Sequence, residues 1–147
     1  MACNYGHIET AKWLIDLGEN SEHDKINIHR LIEYSFQCAC QNGHTELAKW
    51  LIDLGENKGY GKIDIHVFDD TIFRNTCING QIEIAKWLVH LGENKGYGKI
   101  NIHVAKESVF RNACANNYVE MAKWLIDLGA NHGYGQINPR LINKYRE

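Results

Sequence analysis

A ten-residue segment returns at a fixed interval along the chain, and this period constrains the fold more than any other feature. "AKWLIDLGEN" begins at Ala11 and again at Ala48, "AKWLVHLGEN" begins at Ala85, and "AKWLIDLGAN" begins at Ala122. Each copy therefore starts 37 residues after the previous one. A period of this size is typical of solenoids, in which each unit mainly contacts its neighbours. The sequence thus predicts a linear stack of units.

Within one unit, the apolar pattern predicts two helices. "TIFRNTCIN" (71–79) indicates a first helix, which Asp69 or Asp70 can cap. "QIEIAKWLVHLG" (81–92) indicates a second helix that ends at Gly92. In the preceding copy of the second helix, the polar residues form one narrow stripe and apolar residues cover the rest. Such a helix is expected to be buried on several sides, as it would be between stacked neighbours.

Two copies of the second helix share a longer motif. "GHIETAKWL" (6–14) and "GHTELAKWL" (43–51) follow the pattern Gly-His-x-Glu-x-x-Lys-x-Leu, which resembles the second helix of ankyrin repeats. The later copies keep the glutamate, lysine and leucine but replace the histidine with Gln81 and Tyr118. Asn117 occupies the motif position that is glycine in the other copies, and asparagine is the next best residue at positive φ.

The first helix departs from the ankyrin pattern. The family's Thr-Pro-Leu-His motif is largely gone, and its positions read "YSFQ" (34–37), "TIFR" (71–74) and "SVFR" (108–111). The usual ankyrin period is about 33 residues, so each unit here is about four residues longer. The extra residues fall between the helix pairs. This longer unit resembles the divergent ankyrin arrays of giant DNA viruses.

The resemblance implies an all-α repeat solenoid of stacked helix-turn-helix, ankyrin-like units of 37 residues with extended hairpin fingers. We expect a single ankyrin-repeat domain over residues 1–147. Its parts are a partial unit at 1–33, units at about 34–70, 71–107 and 108–138, and a C-terminal closing segment at 139–147.

A glycine-rich segment, "GENKGYGKI", occurs at 55–63 and again at 92–100, with a looser copy, "GANHGYGQI", at 129–137. Phosphate loops need Gly-x-x-x-x-Gly-Lys-Ser/Thr, and dinucleotide loops need three spaced glycines leading into a helix. The segment has neither spacing, so we expect no cofactor. The residues after Tyr60 indicate short extended structure, and in an ankyrin unit the whole segment would be the finger.

The fingers are the part of the repeat that packing leaves unexplained. Each presents a tyrosine flanked by lysines, and we expect these side chains to project as a binding ridge. The resemblance implies that finger tips and the exposed side of the first helices contact the partner. The predicted partner-binding residues are Lys58, Tyr60, Lys62, Arg74, Lys95, Tyr97, Lys99, Arg111 and Tyr134.

These features favour a protein–protein interaction scaffold without catalytic activity, because a solenoid offers an extended surface and no nucleophile has a base and an orienting group nearby in the pattern. Nucleic-acid binding is the alternative, since lysines interleaved with tyrosines suit phosphate contact and stacking. A net charge of -2 and a pI of about 6.4 count against it. The third hypothesis is that the chain is one structural piece of a larger assembly. An acidic protein is the partner that the lysines suit.

Periodic cysteines and histidines are interpreted as structural. Cysteines recur every 37 residues at Cys3, Cys40, Cys77 and Cys114, in the small-residue position of the first helix, where we expect buried packing. Their spacing forms no metal motif, and free cysteines fit a reducing intracellular compartment, cytoplasm or nucleus, including that of a virus-infected host. One histidine per unit, at His29, His66 and His103, is expected to make local turn hydrogen bonds rather than a metal site.

The two edges of the array differ. At the N-terminal edge, Ile8, Trp13 and Leu17 are expected to be exposed, which predicts a longer chain or a self-associating edge. At the other edge, "NPRLINKYRE" predicts a short closing helix that begins near Pro139. No apolar run approaches the roughly 18 residues of a membrane span, so we expect no membrane contact.

Overall fold

The computed structural model describes residues 8–20 and 28–146, of which residues 18–20 are described by their backbone alone. Residues 1–7, which include Cys3, and residues 21–27 of the predicted partial unit lie outside the described residues. The chain separates into two compact units, Met1–Asp64 and Ile65–Glu147, which are called unit 1 and unit 2 below. The predicted division into repeats stays a prediction.

Unit 1 contains three described helices. They are α1 (Ile8–Asn20), α2 (Ile28–Asn42) and α3 (Thr45–Asn57). The apolar face of α2 packs against α3, and both helices contribute side chains to an apolar core. Its centre is formed by Ile32, Phe36, Leu47 and Leu51, none more than 1% exposed. Burying each such side chain contributes roughly 1.5–3 kcal/mol to folding.

Unit 2 contains five described helices. They are α4 (Val67–Ile78), α5 (Ile82–Asn94), α6 (Val104–Ala115), α7 (Val119–Asn131) and α8 (Pro139–Arg146). The aromatic rings of Phe73 in α4 and Phe110 in α6 are almost fully buried, as are Leu88 in α5 and Leu125 in α7. The described residues of the chain form helices, turns and irregular segments and contain no strand. The expected short extended structure after Tyr60 is therefore absent as a strand.

Gly92 does not end its helix, contrary to the sequence prediction, because α5 continues to Asn94. The glycine is needed for close packing instead. The chain turns back after the helix, and the Gly98 N–H donates to the Gly92 carbonyl at 3.2 Å. A Cβ atom on Gly92 would collide with the Gly98 carbonyl oxygen. The same approach occurs at Gly129 in the next repeat.

The first helices of unit 2 begin with an unusual backbone turn. Phe68, Asp69 and Asp70 have φ values of 50°, 53° and 57°, and residues 105–107 of α6 repeat this left-handed stretch. For residues other than glycine this conformation costs roughly 1–2 kcal/mol each. The predicted helix capping by Asp69 or Asp70 is wrong, since no side chain caps α4. The Asp70 carboxylate instead bonds to the His66 ring and to the Asn101 backbone N–H.

Other local predictions are confirmed. The closing helix is present as α8, and Asn117 adopts a φ of 58° at the turn before α7. Cys40 and Cys77 are buried in the first helices, and their burial raises the pKa of both thiols well above the ordinary value. Cys114 is only half-buried. None of the described helices is long and apolar enough to cross a membrane.

Candidate partner-binding surface

The fingers are residues 58–64, 95–101 and 132–138, which follow the second helices. Each holds two glycines with positive φ, such as Gly96 at 72° and Gly98 at 94°. These values let the chain fold back over the preceding helix, a path that other residues adopt only with strain. Lys58 and Lys62 in unit 1 and Lys95 in unit 2 have exposed side chains on the fingers.

The finger tyrosines do not project, contrary to the sequence prediction. Tyr97 and Tyr134 are only 8% and 7% exposed, and Tyr60 is half-buried. The Tyr134 hydroxyl donates a hydrogen bond of 2.6 Å to the Glu93 carboxylate. Burial and this hydrogen bond raise the pKa of Tyr134 well above its ordinary value. The rings fold inward because the finger doubles back, which brings each tyrosine onto the repeat.

Lys99 is an exposed finger lysine that is tied to the following finger. Its Nζ atom donates to the Gly133 carbonyl at 2.5 Å and lies 4.3 Å from the centre of the Tyr134 ring. The second contact is a cation–π interaction, worth about 0.5–1 kcal/mol at an exposed site. Lys99 therefore links two neighbouring fingers of unit 2, a role that the sequence prediction did not include.

A histidine joins the start of each first helix in unit 2 to the next finger. The Nε2 atom of His66 lies 2.8 Å from the Tyr97 carbonyl oxygen and 3.1 Å from that of Gly98. Its Nδ1 atom lies 2.5 Å from the Asp70 carboxylate, whose other oxygen accepts the Asn101 backbone N–H at 2.8 Å. Carbonyl and carboxylate oxygens only accept, so the ring donates on both sides when it is protonated.

His103 repeats this arrangement one repeat later. Its Nε2 atom lies 2.8 Å from the Tyr134 carbonyl oxygen, and its Nδ1 atom lies 2.8 Å from the Glu107 carboxylate. We call each set of histidine, acid and finger carbonyl a histidine clamp. The predicted local turn hydrogen bonding of His66 and His103 is confirmed, but the bond to the next finger was not foreseen.

The histidine clamps favour the charged ring. Burial by itself lowers the pKa of His66, but the hydrogen bond and negative charge of Asp70 outweigh it, helped by the finger carbonyls. The net effect raises the pKa of His66 above its ordinary value. The pKa of His103 is raised in the same way, with Glu107 in the place of Asp70.

The left-handed turn places an aromatic side chain in solvent. Phe68 is 80% exposed, and its carbonyl accepts a hydrogen bond from the Thr71 hydroxyl at 2.5 Å. Exposed aromatics on strained backbone are candidates for function, because folding alone gives no reason to keep either. Sequence reasoning missed Phe68 since no glycine marks the turn. The tolerance of Asp69 and Asp70 for positive φ was the only signal.

A polar cleft of about 410 Å³ lies beside this turn in unit 2. Asp69 and Asp70 line one part of it, and Asn101 and Ala105 line another. The cleft therefore adjoins both the strained turn and the base of the finger. Its acids and histidines offer hydrogen bonds to a partner side chain, whereas Lys95 offers positive charge on the same finger.

Two arginines were predicted on the exposed side of the first helices. Arg111 is exposed, and its Nε atom donates to the Lys106 carbonyl at 3.0 Å, which holds the side chain across the second left-handed turn. Arg74, at the same position one repeat earlier, is half-buried. Across the described parts of the chain, no three histidines, cysteines or acids are placed to hold a metal ion.

A family model described as "Ankyrin repeats (3 copies)" matches residues 1–99 and, in a second alignment, residues 36–135. The two alignments cover most of the chain and overlap in its middle. This match agrees with the all-α repeat solenoid predicted from the period. A search of curated proteins and a search of solved structures found no match.

Proposed function

Because the chain belongs to the ankyrin-repeat family, whose repeats are generally protein–protein interaction modules, we propose that it acts by binding a protein partner. The family is typically non-catalytic, and we propose the same for this chain. The partner would be recognised by surface complementarity along the repeats, as in other solenoids.

In unit 2 the proposed binding surface is centred on Phe68. This side chain is 80% exposed next to the polar cleft, and that observation carries the proposal. Lys95 on the finger and Arg74 and Arg111 on the first helices would add charge around it. Aromatic and arginine side chains supply most hot spots, whereas rim charges mainly set association rate. The basic rim suits an acidic partner.

The finger residues receive different roles in this proposal. Lys58 and Lys62 would contact a partner from unit 1, because their side chains are exposed. Tyr97 and Tyr134 would support the fingers instead of touching the partner, since both rings are buried. Tyr60, which is half-buried, and Lys99, which is tied to the next finger, would also act mainly as supports. Pre-ordered fingers lower the entropy lost on binding.

Nucleic-acid binding by the lysine and tyrosine fingers, the alternative, is supported by the lysines but not by the tyrosines. Single-stranded binding without sequence preference relies on cationic grooves and on aromatic rings that stack with bases. The buried rings of Tyr97 and Tyr134 are not open for stacking. Lysine contacts with phosphates would remain, and they would make binding steeply dependent on salt.

The proposal is tested by a cross-linker at the centre of the surface. A photoreactive phenylalanine at position 68 should capture a protein, and Phe68→Ala should weaken binding of that protein at least about 30-fold, as expected for a hot-spot aromatic. Ala105 occupies the equivalent position one repeat later, so the same turn accommodates alanine. Tyr145→Ala, which removes an exposed aromatic on α8, serves as the control and should bind normally.

Two results would contradict the proposal. One is full-strength binding by both Phe68→Ala and a variant with Lys95 and Arg111 changed to glutamine. The other is binding of single-stranded DNA that competes with the captured protein and disappears at raised salt.

The compartment is also a proposal. The described cysteines, Cys38, Cys40, Cys77 and Cys114, form no disulfide among themselves. Such cysteines support a reducing compartment, where thiols persist.

A further inference from the structure

The C-terminal edge of unit 2 holds an apolar cavity that lies outside the proposed partner surface. It has a volume of about 570 Å³ and lies among α6, α7 and α8. Phe110, Val119, Lys123, Ile126 and Tyr145 are among its lining residues. Val119 is 48% exposed, whereas Ile82, at the equivalent position one repeat earlier, is half-buried.

The same position one repeat earlier shows what such a cavity accommodates. Phe73, which is equivalent to Phe110, has its ring centre 6.3 Å from that of Trp124 in the next second helix, with the planes tilted by 58°. Val89, which is equivalent to Ile126, is 6% exposed, whereas Ile126 is half-buried. At the C-terminal edge the Tyr145 ring of α8 packs edge-on against Phe110, with the two ring centres 6.3 Å apart, and both rings line the cavity. We call this cavity the tryptophan socket, because its Phe110 occupies the repeat position of the Phe73 that contacts Trp124.

The N-terminal edge of unit 1 exposes a helix with the matching side chains. On α1, Trp13 is 59% exposed, Leu14 is 43% exposed and Leu17 is 49% exposed. One repeat later, Leu51 and Leu54 at the two leucine positions are buried. The predicted exposure of Trp13 and Leu17 is confirmed, whereas Ile8 is only half-buried. Exposing three large apolar side chains on one short helix indicates a surface that associates.

A second contact inside unit 1 shows how a tryptophan meets the preceding second helix. The Lys12 Nζ atom lies 5.9 Å from the centre of the Trp50 ring. Lys123 holds the same repeat position as Lys12 and lines the open socket. A tryptophan in the socket would thus lie near the ammonium group of Lys123 and against the Tyr145 ring, which packs on Phe110.

Charge also matches between the two edges. Helix α8, beside the socket, has the sequence PRLINKYR, with three basic residues and no acidic one. Helix α1 has the sequence IETAKWLIDLGEN, with three acidic residues and one basic one. Opposite charges around an apolar contact favour the correct encounter and its register.

We propose that this chain binds a second copy of itself head to tail, with Trp13 on α1 of one copy inserted into the socket formed by α6, α7 and α8 of the other. The two edges are different surfaces, so the contact is heterologous. Each copy that joins leaves one α1 and one socket free, and assembly continues into open chains or closes into a ring.

The test is sedimentation velocity of the wild-type chain across a wide concentration range. The average mass should rise past the dimer, and Trp13→Ala and Val119→Arg should each raise the dissociation constant at least about 30-fold. Both side chains are exposed, so the folded chain should survive, as circular dichroism can verify. Phe68→Ala, an exposed aromatic on the other surface, should self-associate normally.

Mixing the two variants distinguishes this contact from a symmetric one. Trp13→Ala keeps its socket and Val119→Arg keeps its tryptophan, so an equimolar mixture should form a one-to-one complex that grows no further. A contact between two α1 helices would give no such complex, and that result would overturn the proposal. A wild-type chain that stays monomeric at all concentrations, or that assembles equally well as Trp13→Ala, would also overturn it.

Discussion

The start of the first helix differs between the two units, although the spacing of histidine and acid is the same. In unit 2, His66 and Asp70 bracket a left-handed turn, and the ring reaches the next finger. In unit 1, His29 and Glu33 lie within α2, whose described residues have no positive φ. His29 Nε2 lies 3.0 Å from Glu33, and its buried Nδ1 atom has no hydrogen-bond partner.

The last of the three residues between histidine and acid differs between the units in a way that fits the two backbone conformations. Ile32 in unit 1 is β-branched and fully buried, whereas Asp69 and Lys106 occupy its position in unit 2 and are exposed. A β-branched residue is a genuine outlier at positive φ, while aspartate tolerates it. A repeated motif therefore does not guarantee a repeated geometry, and the buried, β-branched Ile32 fits the right-handed helix found in unit 1.

Removing the histidine should separate the two units most strongly. His66→Ala leaves the buried Asp70 carboxylate without its ring partner and should destabilise unit 2 by about 3 kcal/mol, near the lower end for a broken buried pair. His29→Ala should cost less than about 1 kcal/mol, because both members of its pair are more than a third exposed. Hydrogen exchange of the amides in α2 and α4 measures the two effects, and equal losses would refute the comparison.

Glycine substitutions on the fingers should give the next largest difference. Gly98 and Gly61 both have a φ of 94°, so alanine at either should cost roughly 1–2 kcal/mol in strain. An added Cβ at Gly98 would lie 3.0 Å from His66 Nε2 and disturb the clamp, at about 1 kcal/mol more. At Gly61 it would meet the unbonded Nδ1 of His29 at 3.3 Å.

The control for this pair is Gly59→Ala. Its φ is 77°, and an added Cβ would meet nothing within 4 Å, so it reports strain alone. Chemical denaturation of all three variants gives the comparison. A loss for Gly98→Ala no greater than for Gly59→Ala would mean that the clamp adds little.

Raising the pH should weaken unit 2. The pKa values of His66 and His103 in the folded chain lie above the unfolded value of about 6.5. Their stabilising contribution is therefore fully present below about pH 6.5 and is lost as the pH rises through the raised folded values. Denaturation of the wild-type chain between pH 6 and pH 9 should show this decline. The double variant with glutamine at both positions should show a flatter profile over the same range.

The smallest effect should change sign between the units. Phe68→Gly removes left-handed strain and should stabilise unit 2 by up to about 1 kcal/mol, because the side chain is 80% exposed. Leu31→Gly, at the equivalent position of α2, should destabilise unit 1 by about 1 kcal/mol, since glycine disfavours a right-handed helix. Thermal melting detects both shifts. Destabilisation by Phe68→Gly would argue against strain at this turn.

Much of the architecture could be predicted from the sequence. The 37-residue period and the apolar stripes indicated the helix pairs, and the tight turn at Asn117 followed from its tolerance of positive φ. The burial of Cys40 and Cys77 followed from their place on the first helix. These features depend on interactions between residues that are close in sequence, and a repeat protein shows the same local pattern several times.

The candidate site was harder to predict because it depends on contacts between repeats. The tyrosines looked like exposed tips, yet Tyr97 and Tyr134 are buried because each finger folds back over a glycine in its own helix. Gly92 was predicted to end its helix, because a glycine in the sequence does not show whether the helix stops there or another backbone segment packs closely against it. The exposure of Phe68 was not predicted, because it results from a left-handed turn that contains no glycine.

The histidine clamps are central to the proposed surface, because the His66 clamp connects the left-handed turn that exposes Phe68 to the finger that carries Lys95. Nitrogen-15 NMR of histidine-labelled chain at pH 6.5 tests them most directly, since an ordinary ring is about half protonated there. We predict that His66 and His103 are mainly doubly protonated, with each Nε2–H bonded to the carbonyl of Tyr97 or Tyr134. Neutral rings at these two positions, or ring N–H groups that exchange freely with water, would contradict the account.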